Sequence, residues 1–263
     1  MSLNYSKKYS RCFFNCEMIG YEIDEKFLKN HLKIEMPKIV NDTEGTELLV
    51  DHFKYLNTTG FTSERLTKIF ELDQIEDYPH WKYGEEIAKK FLIDIFNTRF
   101  HWDDRRDQKN QSSNPNGADI VGFMLDNSNT KFAFGEVKTS NDKNVPPKVV
   151  YGRRGLTNQL ENMKTNKKII EQLIRYVGFK VVNLERTNPF HIDYENSLIN
   201  YENNNENVII IGILIRDTTP DEKDLKNQQL LKNIFKGVVY GLELYNMFKK
   251  TRKGESINGE GRK

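Results

Sequence analysis

Two acidic residues and one lysine lie within short apolar runs near the middle of this chain. Asp119 opens the run Asp-Ile-Val-Gly-Phe, and Glu136 and Lys138 flank Val137 at the end of the run Phe-Ala-Phe-Gly-Glu-Val-Lys. Because successive side chains of a β-strand point to opposite faces, Glu136 and Lys138 are predicted to share one face while Val137 enters the opposite layer. Charges in a buried strand cost free energy unless they pair, bind a metal or take part in chemistry.

Asp119 is predicted to approach this pair through a β-hairpin. The strand from Ala118 to Leu125 is followed by the turn sequence Asp-Asn-Ser-Asn, so Asp119 and Glu136 come together near the open end of the hairpin. Two carboxylates suit Mg²⁺ or Mn²⁺, which prefer hard oxygen ligands. A neighbouring lysine can orient a water molecule or offset negative charge on a phosphoryl transition state.

An amphipathic helix is predicted upstream, from Tyr83 to Phe96, and two adjacent glutamates open it. The spacing places Glu85 on the buried stripe and Glu86 on the solvent side, in line with Lys89 and Lys90. A structural role is open to Glu85, since an acidic residue near a helix N-terminus favours the helix dipole.

A basic, glycine-rich turn, Tyr151-Gly-Arg-Arg-Gly155, precedes a helix predicted from about Leu156 to Lys164. Free amides at a helix start and the guanidinium groups of Arg153 and Arg154 suit phosphate oxygens. The alternative is a surface turn with solvated arginines. The polar stretch 101–116, which contains the run Asp-Asp-Arg-Arg-Asp, is predicted as a loop that leads to the first site strand.

The remaining patterns predict an α/β fold. A second helix is expected at 168–177, and a continuous apolar run within 206–217 is typical of a central strand covered on both faces. Helical spacing extends over 221–250. Helix, hairpin, helices, buried strand and helix in this order predict an α/β/α sandwich with a mixed central sheet.

The chain divides into three predicted regions. Residues 1–75 form an N-terminal accessory region that is α/β or mostly helical, with helical spacing at 47–56 and 63–70. Residues 76–253 form the main domain. The glycine-rich, polar residues 254–263 are predicted to be disordered.

Composition narrows the class of function. The chain has 263 residues and a net charge of +2, so nucleic-acid binding must depend on local patches rather than on overall charge. An apolar run of membrane-spanning length and a secretory leader are both lacking, which predicts a cytoplasmic protein without a membrane partner. The two cysteines and five histidines lack the spacing of a zinc site.

Gly117-Ala-Asp119 followed by Glu136-Val-Lys138 resembles the active-site signature of the PD-(D/E)xK nuclease superfamily, with Ala118 in place of the motif's proline. Residues 80–180 are similar to the HamA family, the nuclease subunits of bacterial Hachiman anti-phage systems. The segments that carry the likeness are Gly84-Glu85, 115–123, 132–140, Pro146-Pro147, 151–156 and Gln159.

The resemblance implies a nuclease-like α/β/α fold and a DNase that requires Mg²⁺, or Mn²⁺ in its place. Asp119 and Glu136 would hold the metal with help from Glu85 and the Val137 carbonyl. Lys138 would serve hydrolysis and Gln159 would lie near it, which completes a catalytic set of Asp119, Glu136, Lys138 and Gln159.

The partners implied by the resemblance are DNA and a superfamily 2 helicase subunit, HamB, which restrains the nuclease. Two other functions remain open at this point. The chain could be a catalytically silent subunit that docks a helicase and senses DNA, or a restriction or repair endonuclease that acts alone. The intact acidic and basic positions favour an active enzyme.

Overall fold

The computed structural model describes residues 3–13, 16–57, 79–107, 117–126, 129–204, 207–225, 234–241, 244 and 247. Within these ranges the centre of the fold is a six-stranded mixed sheet with the order β1-β2-β6-β5-β4-β3. Its strands are β1 Tyr5–Phe13, β2 Cys16–Ile23, β3 Ile120–Asp126, β4 Asn129–Ser140, β5 Ile209–Arg216 and β6 Ile234–Tyr240.

Parallel pairing occupies the middle of the sheet and antiparallel hairpins lie at its two edges. β5 pairs in parallel with β4 on one side and with β6 on the other, and β6 pairs in parallel with β2. The hairpins β1–β2 and β3–β4 complete the sheet. The prediction of a central strand within 206–217 is confirmed, because β5 is an apolar run with both faces covered.

Helices pack against both faces of the sheet. They are α1 Glu25–Asn30, α2 Met36–Val40, α3 Thr43–Asn57, α4 His80–Phe96, α5 Leu156–Thr165, α6 Lys167–Val181 and α7 Pro189–Asn203. The apolar side chains of α1, α2 and α4 form one core with Val137 and Ile213. Those of α5, α6 and α7 form a second core with Phe134 and Leu214. The mixed α/β class is therefore confirmed.

One prediction of secondary structure is wrong in part. Within the predicted helical stretch 221–250, residues 234–240 form the strand β6, because a short apolar run satisfies either periodicity and pairing with both β2 and β5 selects the strand, whereas Leu244 and Met247 are helical. The helix predicted at 168–177 continues as α6 to Val181, and α7 follows it. Asn188 caps α7 by accepting a hydrogen bond from the Phe190 N–H at 2.9 Å.

The N-terminal segment contributes β1 and β2 to the same sheet as the site strands. The helical spacing at 47–56 lies within α3. The predicted helix at 63–70, the boundary near residue 75 and the tail 254–263 all lie outside the described residues. Among the helices that can be described, none has the combination of length and apolarity needed to cross a bilayer.

Candidate active site

Glu136 and Lys138 lie side by side on one face of β4. Lys138 Nζ donates to Glu136 Oε1 at 2.5 Å. Val137, between them, is buried in the core on the opposite side of the sheet, as the alternation predicts. Glu136 is 7% exposed and is therefore a buried acid whose partner is a half-buried lysine.

Asp119 lies beside Glu136, as the hairpin predicts. The ladder between β3 and β4 ends with Ile120 opposite Gly135, and Asp119 and Glu136 are the next residues of the two chains beyond this last pair. Asp119 Oδ2 also accepts a hydrogen bond from the Val137 N–H at 2.9 Å. The N–H and C=O of one strand residue point to the same edge, so the Val137 carbonyl projects from the edge of β4 that Asp119 covers.

The site lies where β4 extends beyond its neighbour. β4 continues to Ser140, whereas its pairing with β3 stops at Gly135. Gly117, just before Asp119, has a φ of +135°, a conformation that L side chains rarely adopt. The chain therefore turns sharply into β3, and β4 runs past Gly135 without a strand partner on that edge among the described residues.

The pKa values of the two carboxyl groups are raised above their ordinary values. Burial raises the pKa of Asp119, and the Val137 N–H and the Lys138 charge partly offset this effect. Burial also raises the pKa of Glu136, and the negative charge of Asp119 raises it further. A cation between the two carboxylates would remove this unfavourable electrostatic free energy.

Glu85 extends the acidic group from the opposite face of the sheet. A Cβ atom added to Gly84 would lie 1.8 Å from Thr139 Oγ1, so this glycine allows α4 to approach β4 closely. Glu85 follows directly and is half-buried. Burial, and then the charge of Asp119, raise its pKa to about 9. The structure thus brings Glu85 into the electrostatic field of Asp119.

Glu86 does not lie on the solvent side of α4, so that prediction is wrong. It is 8% exposed, and Lys89 Nζ lies 3.5 Å from its Oε1. Lys89 also donates to Asp104 Oδ1 at 2.9 Å. The segment that carries Asp104 therefore covers the face of α4 that helical spacing assigned to solvent.

Sequence reasoning missed Lys89 and Asp104 as members of this group. The charge of Lys89 lowers the pKa of both Asp119 and Glu85, whereas Asp104 raises both. Asp104 belongs to the charged run at 103–107, which carries no periodic signal. Only the packing of this run against α4 places it at the site.

Gln159 lies on α5, which crosses the face of the sheet that carries Glu136. A Cβ atom added to Gly212 would lie 2.5 Å from Leu160 Cδ1, and Gly212 is the β5 residue paired with Glu136. Gln159 is half-buried on this helix. Both Gln159 and Lys138 are described, and no hydrogen bond joins their side chains, so Gln159 remains a neighbour of the site by position alone.

Arg153 and Arg154 are exposed on a tight turn that leads into α5. Gly152 has a φ of +85°, and its carbonyl accepts hydrogen bonds from the Gly155 N–H and from Asn158 Nδ2, both at 3.0 Å. Across the described ranges, neither guanidinium forms an ion pair with a carboxylate. Both remain available to bind an external anion.

The end of β4 is fixed by a buried arginine. Arg216, fully buried at the end of β5, donates to the carbonyls of Asp142 and Asn144 at 2.5 and 3.1 Å. Its guanidinium also pairs with Asp224 at 3.1 Å. The loop that connects the site strand to the basic turn is therefore held against the sheet.

The donor set fits a divalent cation held partly by the protein. Asp119, Glu136 and the Val137 carbonyl supply hard oxygen ligands at one edge. In the part of the chain that can be described, no three His, Cys, Asp or Glu side chains converge as a complete metal cage. Mg²⁺ commonly binds through one or two carboxylates together with water and substrate phosphate, which suits this arrangement.

A cleft of about 380 Å³ opens beside the same edge. Gly117 and Ala118, immediately before Asp119, form one wall, and Leu173 and Tyr176 of α6 form another. Asp119, Glu136 and Lys138 are not among its lining residues, so the cleft adjoins the site through Gly117 and Ala118.

No model of a known protein family and no curated protein matches this chain. Any proposal of function therefore rests on the site residues themselves.

Proposed function

We propose that this protein is a metal-dependent nuclease that hydrolyses phosphodiester bonds in DNA. The observation that carries this proposal is the convergence of Asp119, Glu136 and Lys138 at the end of β4, beyond its pairing with β3. The raised pKa values of the two acids support it, because burial disfavours both anions even with Lys138 beside Glu136, and shifts of this kind cluster at functional sites.

Each residue has a separate task in this mechanism. Asp119 and Glu136, with the Val137 carbonyl and Glu85, would hold the cation. When bound, the cation would supply Lewis acidity toward a phosphate oxygen and toward water. Lys138, which donates to Glu136 in the free protein, orients the attacking water and offsets negative charge on the phosphoryl oxygens.

DNA is held mainly through its backbone. Arg153 and Arg154 present two exposed guanidinium groups beside α5, the helix that covers the Glu136 face of the sheet. Arginine binds phosphate through paired hydrogen bonds, and such contacts fix position without reading sequence. Under this proposal, DNA binding has little sequence specificity and depends strongly on the salt concentration.

The biological setting follows from the resemblance to the PD-(D/E)xK superfamily and to HamA. We propose that the chain is the nuclease effector of a bacterial anti-phage complex and that a HamB-like superfamily 2 helicase holds it in check. This setting rests on the sequence resemblance alone; the mixed sheet with helices on both faces agrees with the α/β/α architecture that the resemblance implies. Purification of the chain from its native host tests the partner, because a helicase should co-purify with it.

The activity is tested with purified protein, labelled DNA and Mg²⁺. We expect cleavage that stops on chelation and in the Glu136→Gln and Lys138→Met variants. Lys131→Met is a matched control, because Lys131 lies on the same strand, pairs with Asp126 at 2.6 Å and has similar side-chain exposure, 20% against 23% for Lys138. Absence of metal-dependent cleavage, alone or with the helicase, would favour a silent docking subunit.

A further inference from the structure

The cleft beside Asp119 lies between the start of β3 and α6. Gly117 and Ala118 precede Asp119 in the chain and Val121 follows it, and all three line the cleft. Consecutive Cα atoms are about 3.8 Å apart, so the backbone of Asp119 directly continues the wall that Ala118 forms. A group that fills the cleft is therefore held next to the proposed site of hydrolysis.

The cleft has the size and the lining of a site for a small, mainly apolar group. Its volume is about 380 Å³, within the range of roughly 300–1,000 Å³ that is usual for small-ligand sites. Val121, Ile169 and Leu173 make much of its lining apolar. At its rim the exposed Gln172 amide has no partner within the described part of the chain, so it can donate to or accept from a polar edge.

The charges around the cleft favour a base over a phosphate. Among the described residues that line it, none is basic, and two are acidic, Asp104 and Asp107. Lys89 pairs with Asp104 at 2.9 Å, and Lys180 pairs with Asp107. Neither lysine is therefore free to bind a phosphate in the cleft.

Tyr176 supplies an aromatic surface that is fixed before a ligand binds. It lines the cleft, and its hydroxyl donates a hydrogen bond to Asp107 Oδ2. Trp102 Nε1 donates to the same oxygen at 2.9 Å, and Lys180 Nζ lies 5.3 Å from the centre of the Tyr176 ring. Because this network holds the ring in place, little side-chain entropy is lost when a base stacks on it.

A base can enter the cleft readily only when it is unpaired. In a duplex each base is paired and stacked, and its extrusion costs free energy. A single strand or a mismatched stretch presents its bases without most of this cost. Stacking also accepts any base, because every base has a π face, so it does not conflict with contacts that ignore sequence.

We propose that the cleft between the start of β3 and α6 binds one unpaired base, and that DNA with unpaired bases is the preferred substrate. This inference rests on the proposed function, because it names the substrate class of that site. Tyr176 stacks on the base in this scheme, while Arg153 and Arg154 bind phosphates elsewhere on the strand.

Base binding is measured with the full-length protein in EDTA, by fluorescence anisotropy of labelled DNA. Two comparisons hold the charge of the DNA constant: a single strand against an abasic strand of equal length, and a duplex with a mismatched stretch against a fully paired one. We expect the DNA with unpaired bases to bind about tenfold more tightly in each comparison, which is the contribution of roughly one stacked base.

Substitutions locate the effect in the cleft. Tyr176→Leu should remove both differences, whereas Tyr176→Phe should keep them because it retains the ring. Phe179→Leu is the matched control and should also keep them: Phe179 lies on the same helix, is 65% exposed and does not line the cleft.

Equal affinity for intact and abasic strands in the wild type would overturn the inference, and this comparison does not require any variant to fold. Differences that survive in folded Tyr176→Leu, or that vanish in Phe179→Leu as well, would also overturn it. The outcomes separate the two proposals, because binding is measured without metal. Binding that depends on bases and on Tyr176, without cleavage in Mg²⁺, would reject the nuclease and keep the base site; cleavage without such binding would do the reverse.

Discussion

Asp119 Oδ2 accepts the Val137 N–H at 2.9 Å, just beyond Ile120 and Gly135, the last backbone pair between β3 and β4. The carboxylate thus accepts the Val137 N–H at a point where the strand ladder no longer supplies a backbone carbonyl. Because Val137 lies between Glu136 and Lys138, this single bond fixes Asp119 relative to both charged side chains. The same side chain therefore has a structural role and a chemical role, and substitutions can separate them.

Asp119→Asn and Asp119→Ala are expected to abolish cleavage alike but to differ in stability. The asparagine oxygen can still accept the Val137 N–H, whereas alanine leaves this donor unsatisfied, at a cost of about 1–3 kcal/mol when it is buried. Urea unfolding in EDTA measures the difference. Equal stability of the two variants would show that the hydrogen bond contributes nothing.

Glu85 is expected to make stability fall with rising pH when no metal is present. Its pKa is raised from 4.5 to about 9, so the folded protein holds a proton that the unfolded chain releases between these values. The folded state therefore binds more protons, and the free energy of unfolding decreases as the pH rises through this window. Unfolding in EDTA at several pH values should show a shallower decline for Glu85→Gln than for the wild type.

The chemical core of the site could be predicted from the sequence, whereas its surroundings could not. Glu136, Val137 and Lys138 obey the two-residue period of a strand, and the hairpin turn fixed the approach of Asp119. Lys89 and Asp104 meet through contacts between an irregular segment and α4, which no local period encodes. For the same reason, helical spacing alone predicts Glu86 on the solvent side, whereas the segment carrying Asp104 covers it.

Strand β6 is a second element that the local sequence pattern does not predict. Its run Ile-Phe-Lys-Gly-Val-Val-Tyr carries apolar residues at both helical and strand spacing. β6 lies between β2 and β5 and so joins an N-terminal strand to the centre of the sheet. The residues that pair in this way are far apart along the chain. Periodicity depends only on residues that are neighbours in sequence, so it does not predict that N-terminal strands pair with β6.

Mg²⁺ is expected to raise the midpoint of thermal unfolding in the wild type but not in Glu136→Gln. A ligand that binds only the folded state stabilises it by RT ln(1 + [L]/Kd), about 2.7 kcal/mol at a concentration of 100 Kd. The Lys131→Met control should respond as the wild type does, because its ion pair with Asp126 lies at the other end of β4. Stabilisation of all three proteins by Mg²⁺ would place the metal elsewhere.

Substitution of Arg153 and Arg154 by glutamine is expected to weaken DNA binding equally for unrelated sequences. Each lost phosphate contact should lower the slope of log affinity against log salt by about one. Arg186→Gln is the control, since Arg186 is also exposed but lies on the turn between α6 and α7. Fluorescence anisotropy in EDTA measures binding without cleavage, and a change that depends on DNA sequence would argue against backbone contacts.

Gly212→Ala is expected to destabilise the protein by displacing α5 from the site face. The added Cβ would lie 2.5 Å from Leu160 Cδ1, and overpacking of a buried contact costs about 1–3 kcal/mol. Because Gly212 pairs with Glu136, the same displacement should lower cleavage more than the loss of folded protein explains. Adding Leu160→Ala removes the clashing atom, so the double variant should lose less stability than the sum of the two single losses. Strict additivity of the two losses, measured by urea unfolding, would show that these side chains do not compete for the space above β5.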